Sequence, residues 1–142
     1  MSLIEKAIAV ALEAHEGDVT RSGKPYVLHP LRLMLQMDSE EEMITAVLHD
    51  VVEDSHYTLD DLTGMGFPDS VLDALNVLTH DKERISYEDY IQGIKSNPLA
   101  VRIKLADLTH NMDIRRLPNP MGDSDLERLR KYRRAWKTLT GQ

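Results

Sequence analysis

Residues 40–54 read EEEMITAVLHDVVED, and this stretch decides the fold. Ser39 and Glu42 match the capping-box pattern that opens an α-helix. Apolar residues then cover much of the circumference of the helix, which is typical of a central helix in a bundle. These residues are Met43, Ile44, Val47, Leu48, Val51 and Val52. His49 and Asp50 stand near the carboxyl end of the run, so the stretch predicts a buried helix that carries two potential metal ligands.

Similar signals predict helices along the rest of the chain. Capping patterns open four of them, at Ser2 with Glu5, Thr58 with Asp61, Ser86 with Asp89, and Ser124 with Glu127. Proline marks the first turn of three more, at Pro30, Pro68 and Pro98. The helix that begins at Pro98 is predicted to run to about Arg116. No segment shows the alternation of a strand. The sequence predicts one all-α domain, residues 1–142, built as a bundle of about seven or eight helices.

Composition limits the classes of function. A chain of 142 residues is long enough for one domain with a sizeable core. The absence of cysteine excludes disulfides and thiolate metal sites, and a net charge of -7 argues against a nucleic-acid binder. The first helix is amphipathic and acidic, unlike a signal peptide, and no apolar run approaches the roughly 18 residues of a membrane span. We expect a cytoplasmic monomer or homodimer.

Four dispersed residues form a candidate metal site: His29, His49, Asp50 and Asp107. Two imidazoles and two carboxylates suit a divalent ion such as Mn, Fe, Zn or Mg. A metal that prefers six ligands then keeps positions for water and a substrate oxygen, as hydrolysis requires. Each residue lies next to an apolar run that would bury it, and burial of an unpaired carboxylate is costly. The sequence therefore predicts a metal centre that only the fold can assemble.

The neighbouring residues have less specific interpretations. Glu53 and Asp54 lie one turn beyond His49 and Asp50, where they could orient or deprotonate an attacking water. The alternative is that they form a polar exit from a buried helix. Three further histidines are predicted to be satisfied or exposed residues without a metal role. These are His15, His56 and His80.

Four segments carry a resemblance to a known family. They are Ala14-His15, RSGKPYVLHP at 21–30, LHDVVED at 48–54 and KLADLTHN at 104–111. In this order they resemble the HD-domain metal hydrolases, and specifically the hydrolase domain of the RelA/SpoT alarmone enzymes, including its small stand-alone versions. The resemblance runs from about residue 3 to at least residue 117.

The resemblance implies a substrate and a set of roles. The substrate would be guanosine 3′-diphosphate 5′-(di or tri)phosphate, which loses its 3′-pyrophosphate to give GDP or GTP. One divalent ion, Mn²⁺ or another, would be the cofactor, and Glu53 with Asp54 would activate water. The implied substrate contacts are Arg21, Ser22, Gly23, Lys24, Tyr26, Lys104 and Asn111. Arg21 and Lys24 have the alternative of being solvated loop charges.

Two positions depart from the family pattern, and they leave the substrate open. Thr20 stands where many members have a basic residue that packs on the guanine base. Asp113 stands where an arginine often follows the HN motif. The alternatives are a phosphohydrolase acting on another nucleotide or phosphoester, and a non-catalytic nucleotide-binding module. The last predicted helix is rich in arginine and lysine, which form a solvated face or supply one or two contacts to the 5′-phosphates.

Overall fold

The computed structural model describes residues 1–142 as nine α-helices and one 3₁₀-turn, Ile114–Arg116. The helices are α1 Leu3–Ala14, α2 Leu28–Leu35, α3 Glu40–Leu48, α4 Val51–Asp54, α5 Leu59–Gly64, α6 Asp69–Leu78, α7 Tyr87–Ile94, α8 Pro98–Asn111 and α9 Asp123–Thr140. Extended structure is limited to an isolated bridge between Val19 and Pro25. The all-α prediction is confirmed. Helices α3 and α4 together occupy the stretch predicted as one helix.

Local capping determines where several helices begin. The hydroxyls of Ser2, Ser39 and Thr58 each accept a hydrogen bond from the backbone N–H three residues later, at 3.3, 3.1 and 3.1 Å. The acidic side chain at that later position accepts from the backbone N–H of the capping residue in return. Each box satisfies donors that the first turn leaves without a partner. These three predicted helix starts are confirmed.

Helix α3 lies in the middle of the bundle. Its residues from Ile44 to Leu48 are at most 2% exposed, and they pack among α1, α2, α6 and α8. Truncating a leucine at such a position typically costs about 2–5 kcal/mol. Because the carboxyl end of α3 is anchored in this way, the residues that follow it emerge at a well-determined place.

The central helix is interrupted at His49 and Asp50. The backbone N–H of His49 points to the carbonyl of Ala46, three residues back, at 3.4 Å. Regular bonding returns only when the N–H of Asp54 donates to the carbonyl of Asp50 at 3.0 Å. The prediction of an uninterrupted helix through this pair is therefore wrong, and the tighter turn changes the directions of both side chains.

Two other predicted helix boundaries are also wrong. Helix α8 ends at Asn111, because the Asp113 carboxylate accepts from the backbone N–H of Arg115 at 3.0 Å and opens the 3₁₀-turn. Helix α9 begins before the predicted cap at Ser124, since the Asp125 carboxylate accepts from the N–H of Gly122 at 2.9 Å. None of the helices combines the length and the apolar character that crossing a bilayer would require.

Candidate metal centre and catalytic cleft

The four predicted metal ligands converge at one point. His29 comes from α2, His49 and Asp50 come from the α3–α4 junction, and Asp107 comes from α8. His29 Nε2 lies 2.8 Å from Asp107 Oδ1. His49 Nε2 lies 3.1 Å from Asp50 Oδ2 and 3.4 Å from Asp107 Oδ1. One donor atom each from His29, His49 and Asp50 lies within 4.8 Å of the others.

The orientation of His49 fits a metal ligand. Its Nδ1 lies 2.7 Å from the carbonyl oxygen of Ala46, so this nitrogen carries the hydrogen and Nε2 presents its lone pair to the cluster. Nε2 is buried and lies close to both carboxylates, but it forms no well-aligned hydrogen bond with either. Buried polar atoms are nearly always satisfied, and a divalent ion among these carboxylates would satisfy this one. The residues present therefore fit a divalent metal.

Opposite charges lie close together in this cluster. Burial alone would lower the pKa of His49, but Asp50 and Asp107 raise it well above its usual value. Burial would raise the pKa of Asp50, yet His49 lowers it to about 2. The pKa of Asp107 is likewise well below normal, because Lys104 and the two histidines outweigh its burial. The two carboxylates thus favour positive charge at the centre of this cluster.

Two of the predicted substrate contacts touch the candidate metal ligand Asp107. The Lys104 ammonium donates to Asp107 Oδ2 at 2.9 Å, and the Asn111 amide donates to Asp107 Oδ1 at 3.0 Å. Burial disfavours the charged form of Lys104, but the adjacent Asp107 raises its pKa well above the usual value. Both side chains also line a cleft that they share with Glu53 and Asp54. They are therefore placed to contact Asp107 and a ligand at the same time.

Tyr26 lies beside the cluster rather than in the solvent. Its hydroxyl donates to Asp50 Oδ2, and its ring centroid is 4.9 Å from that of His15 and 5.8 Å from that of His29. Burial and the charge of Asp50 raise the pKa of Tyr26 far above its normal value, so the phenol stays protonated. Tyr26 therefore orients one candidate ligand and lines the same cleft.

Glu53 and Asp54 lie at the edge of a cleft of about 410 Å³ next to Asp50 and Asp107. Burial, Asp50 and Glu53 raise the pKa of Asp54 to about 6. The Glu53 carboxylate accepts from the backbone N–H of His80 at 2.8 Å and so holds the α6–α7 connection. Four cationic side chains line the same cleft: Lys82, Lys104, Arg128 and Lys131.

The residues of the loop at 20–25 lie in different surroundings. The Arg21 guanidinium pairs with the buried carboxylate of Asp125. Ser22 and Lys24 line a wider cleft of about 760 Å³ on the side of His29. Gly23 has φ +82°, which a glycine adopts without strain. Tyr26 thus contacts the candidate metal ligands, Arg21 pairs with a residue of α9, and Lys24 is exposed.

Sequence reasoning missed His110, whose ring is parallel to that of His29 with centroids 4.9 Å apart. The HN dipeptide within KLADLTHN was the available signal. The prediction that His15 is satisfied or exposed is wrong, because this residue is 2% exposed and neither ring nitrogen has a hydrogen-bond partner. The prediction that His56 is a satisfied or exposed histidine is correct, since its side chain is 72% exposed. His80 Nε2 contacts the carbonyl of Ile85 at 2.7 Å, as expected for a satisfied histidine.

Known proteins resemble the chain in sequence. A Haemophilus influenzae protein named guanosine-3′,5′-bis(diphosphate) 3′-pyrophosphohydrolase is 36% identical over 118 residues, 72% of this chain. The Escherichia coli bifunctional (p)ppGpp synthase/hydrolase SpoT is 32% identical over 123 residues, 77% of this chain. A probable GTP pyrophosphokinase of Mycobacterium leprae is 34% identical over 134 residues, 84% of this chain. The chain spans 17% of the length of each relative. No protein-family model matches it.

A solved structure shares the fold. It is described as a metazoan orthologue of SpoT that hydrolyses ppGpp, and it superposes with a TM-score of 0.79 at 23% sequence identity. The superposition covers 99% of this chain and 85% of the other. Together, the sequence relatives and the shared fold confirm that the chain resembles the hydrolase domain of the RelA/SpoT proteins.

Proposed function

We propose that this chain hydrolyses the 3′-pyrophosphate of guanosine 3′-diphosphate 5′-(di or tri)phosphate in a metal-dependent reaction that leaves GDP or GTP. The observation that carries the proposal is the convergence of His29, His49, Asp50 and Asp107 beside a cleft that holds both carboxylates and cations. The names of the relatives support the choice of substrate. A cytoplasmic location, a single domain and a monomeric or homodimeric state belong to the same proposal.

His29, His49, Asp50 and Asp107 would hold one divalent ion, which we propose to be Mn²⁺. When bound, such an ion polarises a phosphoryl oxygen and makes a water molecule more acidic. The protein itself supplies the buried anionic setting, in which the pKa of Asp50 is about 2 and Asp107 is ionised as well. It also supplies two donors to these carboxylates. Tyr26 donates to the Asp50 oxygen that lies next to His49, and Lys104 donates to the Asp107 oxygen that faces away from the histidines.

Asp54 is the group that we propose to take the proton of the attacking water. Its carboxyl lines the cleft and has a pKa of about 6, and a base is most effective when its pKa lies near the working pH. Glu53 faces the same cleft while its carboxylate is hydrogen-bonded to His80. We therefore propose that Glu53 orients the water and also holds the neighbouring α6–α7 connection in place.

Cations of the cleft would bind the phosphates. Lys104 lies next to the candidate ligand Asp107, and Lys82, Arg128 and Lys131 line the same cleft. Two of the basic residues of α9 therefore face the cleft, which supports a contact between this helix and the 5′-phosphates. Lys24 on the loop and Asn111 on α8 complete the proposed contacts, together with Ser22, Gly23 and Arg21.

The proposal is tested with metal-stripped protein to which Mn²⁺ is returned. Guanosine 3′-diphosphate 5′-diphosphate should give GDP and pyrophosphate in equal amounts, measured by phosphorus NMR and chromatography. Asp107→Asn is the inactive control. If the protein hydrolyses a different phosphoester and leaves this compound intact, it is a phosphohydrolase with another substrate. Tight binding of the nucleotide without any turnover would instead indicate a non-catalytic module.

A further inference from the structure

The second ring nitrogen of His29 contacts another histidine. Nδ1 of His29 lies 2.6 Å from Nδ1 of His110, and the two ring planes differ by only 4°. His29 is 2% exposed, so its imidazole is almost entirely buried. His110 is the one hydrogen-bond partner of the His29 Nδ1 atom. The tautomer of His29 is therefore coupled to that of His110 through this contact.

The chemistry of a metal-bound imidazole assigns the direction of this hydrogen bond. A neutral histidine binds a metal through the lone pair of one nitrogen, while the other nitrogen keeps its hydrogen and donates it. His29 Nε2 points to Asp107 and the candidate metal. With a metal on Nε2, Nδ1 of His29 keeps its hydrogen and donates it, and Nδ1 of His110 accepts.

One helix determines the surroundings of both nitrogens. Asp107 and His110 lie three residues apart on α8, and residues with this spacing share a helix face. Asp107 contacts Nε2 of His29 and His110 contacts Nδ1, so α8 holds the imidazole of α2 from both sides. The end of α8 is secured in turn by Arg116, whose guanidinium donates to the His110 carbonyl at 2.8 Å.

We propose that His110 is a positioning residue that fixes the tautomer and the ring direction of His29, so that metal affinity depends on it. This inference rests on the proposed role of His29 as a metal ligand. It adds to the proposed site a residue that touches neither metal nor substrate. Partners of this kind typically change metal affinity by about 10–100-fold when they are lost.

The test measures Mn²⁺ affinity without nucleotide, by electron paramagnetic resonance titration of metal-stripped protein. His110→Leu removes the acceptor, and we expect its dissociation constant to rise about 10–100-fold. His110→Asn places an amide oxygen near the former Nδ1, and we expect it to recover most of the affinity. His56→Leu, at an exposed histidine outside the site, is the control and should bind as wild type does.

Circular dichroism and thermal melting in the presence of a chelator establish that the variants are folded. A purely structural role would lower the melting temperature without the recovery of metal affinity by asparagine. Wild-type affinity in His110→Leu, equal losses in the leucine and asparagine variants, or no Mn²⁺ binding by the wild type would each overturn the inference. If Mn²⁺ affinity depends on residue 110 but the protein hydrolyses no nucleotide, the proposed function is contradicted while this inference stands.

Discussion

Arg21 forms an ion pair with Asp125, a residue 104 positions later in the chain. The pair joins the loop before α2 to the first turn of α9. Asp125 is 4% exposed, whereas the side chain of Arg21 is 40% exposed. The arginine that the family resemblance places against the nucleotide is therefore already engaged with a buried carboxylate, which gives it a role in stability.

A double-mutant cycle should measure this role. Arg21→Ala leaves Asp125 buried without its partner, and we expect the free energy of unfolding to fall by about 1–3 kcal/mol, below the range for fully buried pairs because Arg21 is partly solvated. Asp125→Ala and the double variant complete the cycle. Urea denaturation should show a coupling energy of about 1 kcal/mol or more. Additive losses would mean that the two side chains do not stabilise each other.

Loss of a metal ligand should abolish stabilisation by metal. In the wild type, Mn²⁺ at about 100 times its dissociation constant should add roughly 2.7 kcal/mol to the free energy of unfolding. Asp107→Asn should show almost none of this increase, because Asp107 contacts both candidate histidine ligands. Asp113→Asn is the matched control, since Asp113 pairs with Arg115 outside the cluster. Thermal melting with and without Mn²⁺ gives the comparison, and equal shifts in both variants would remove Asp107 from the ligand set.

The raised pKa of Asp54 predicts a pH-dependent stability of the metal-free protein. Its carboxyl has a pKa of about 6 against an ordinary value of 3.8, because it is partly buried near Asp50 and Glu53. Ionisation therefore opposes folding. The penalty is absent below the ordinary value, grows as the pH rises toward 6 and is complete above it. After allowance for solvent screening, Asp54→Asn should stabilise the protein by on the order of 1 kcal/mol at pH 8.

Denaturation of both proteins in the presence of a chelator at pH 4 and pH 8 measures this difference. At the lower pH the two stabilities should be nearly equal. A difference of the same size at both values would show that the amide acts by packing rather than by charge.

The two carboxylates after the central pair should matter for turnover more than for metal binding. Asp54→Asn is expected to lower turnover about a hundredfold or more, the scale for loss of a general base. Glu53→Gln is expected to lower it to a similar extent, because the attacking water loses the carboxylate that orients it. Glu53→Gln keeps an acceptor for the backbone N–H of His80, so its effect reports on charge rather than on the connection. Steady-state rates and Mn²⁺ titrations separate the two properties. Near-normal rates in both variants and in the double variant would place water activation elsewhere.

Thr20 should weaken discrimination of the base. Its hydroxyl lies 3.0 Å from the Ser22 hydroxyl and accepts from the Lys24 N–H at 3.2 Å, so it organises the loop without offering a cation. Arginine on an aromatic ring contributes about 0.5–2 kcal/mol. Thr20→Arg should therefore tighten guanosine binding roughly threefold to thirtyfold, with little change in turnover, and Thr20→Leu should not. Guanosine and adenosine 3′-diphosphates are compared at fixed Mn²⁺, and strong guanine selectivity in all three proteins would assign base reading to another residue.

Local sequence signals predicted most of the helices, because a capping box involves residues only three positions apart. Ser2, Ser39 and Thr58 are examples. The start of α9 was misplaced because the Asp125 carboxylate both caps the helix and pairs with Arg21, and a partner 104 residues away leaves no local pattern. Helix α8 was predicted to be too long because Asp113 can cap a 3₁₀-turn that apolar periodicity does not reveal.

The sequence predicted the candidate metal ligands but not the contacts that surround them. Ligand types and their apolar neighbours indicated His29, His49, Asp50 and Asp107, and the structure brings these four together. Secondary contacts were not predictable, since they depend on the packing of helices. The donation from Tyr26 to Asp50 is one such contact.

The interruption of the central helix has a further consequence for assembly of the metal centre. In a regular α-helix, adjacent side chains point about 100° apart, and a dipeptide would not direct both members at one ion. Because the backbone tightens at His49 and Asp50, these neighbours approach to 3.1 Å. The four donors therefore come from three rigid pieces of backbone instead of four. Alignment of the centre requires two relative placements, those of α2 and α8 against the α3–α4 junction.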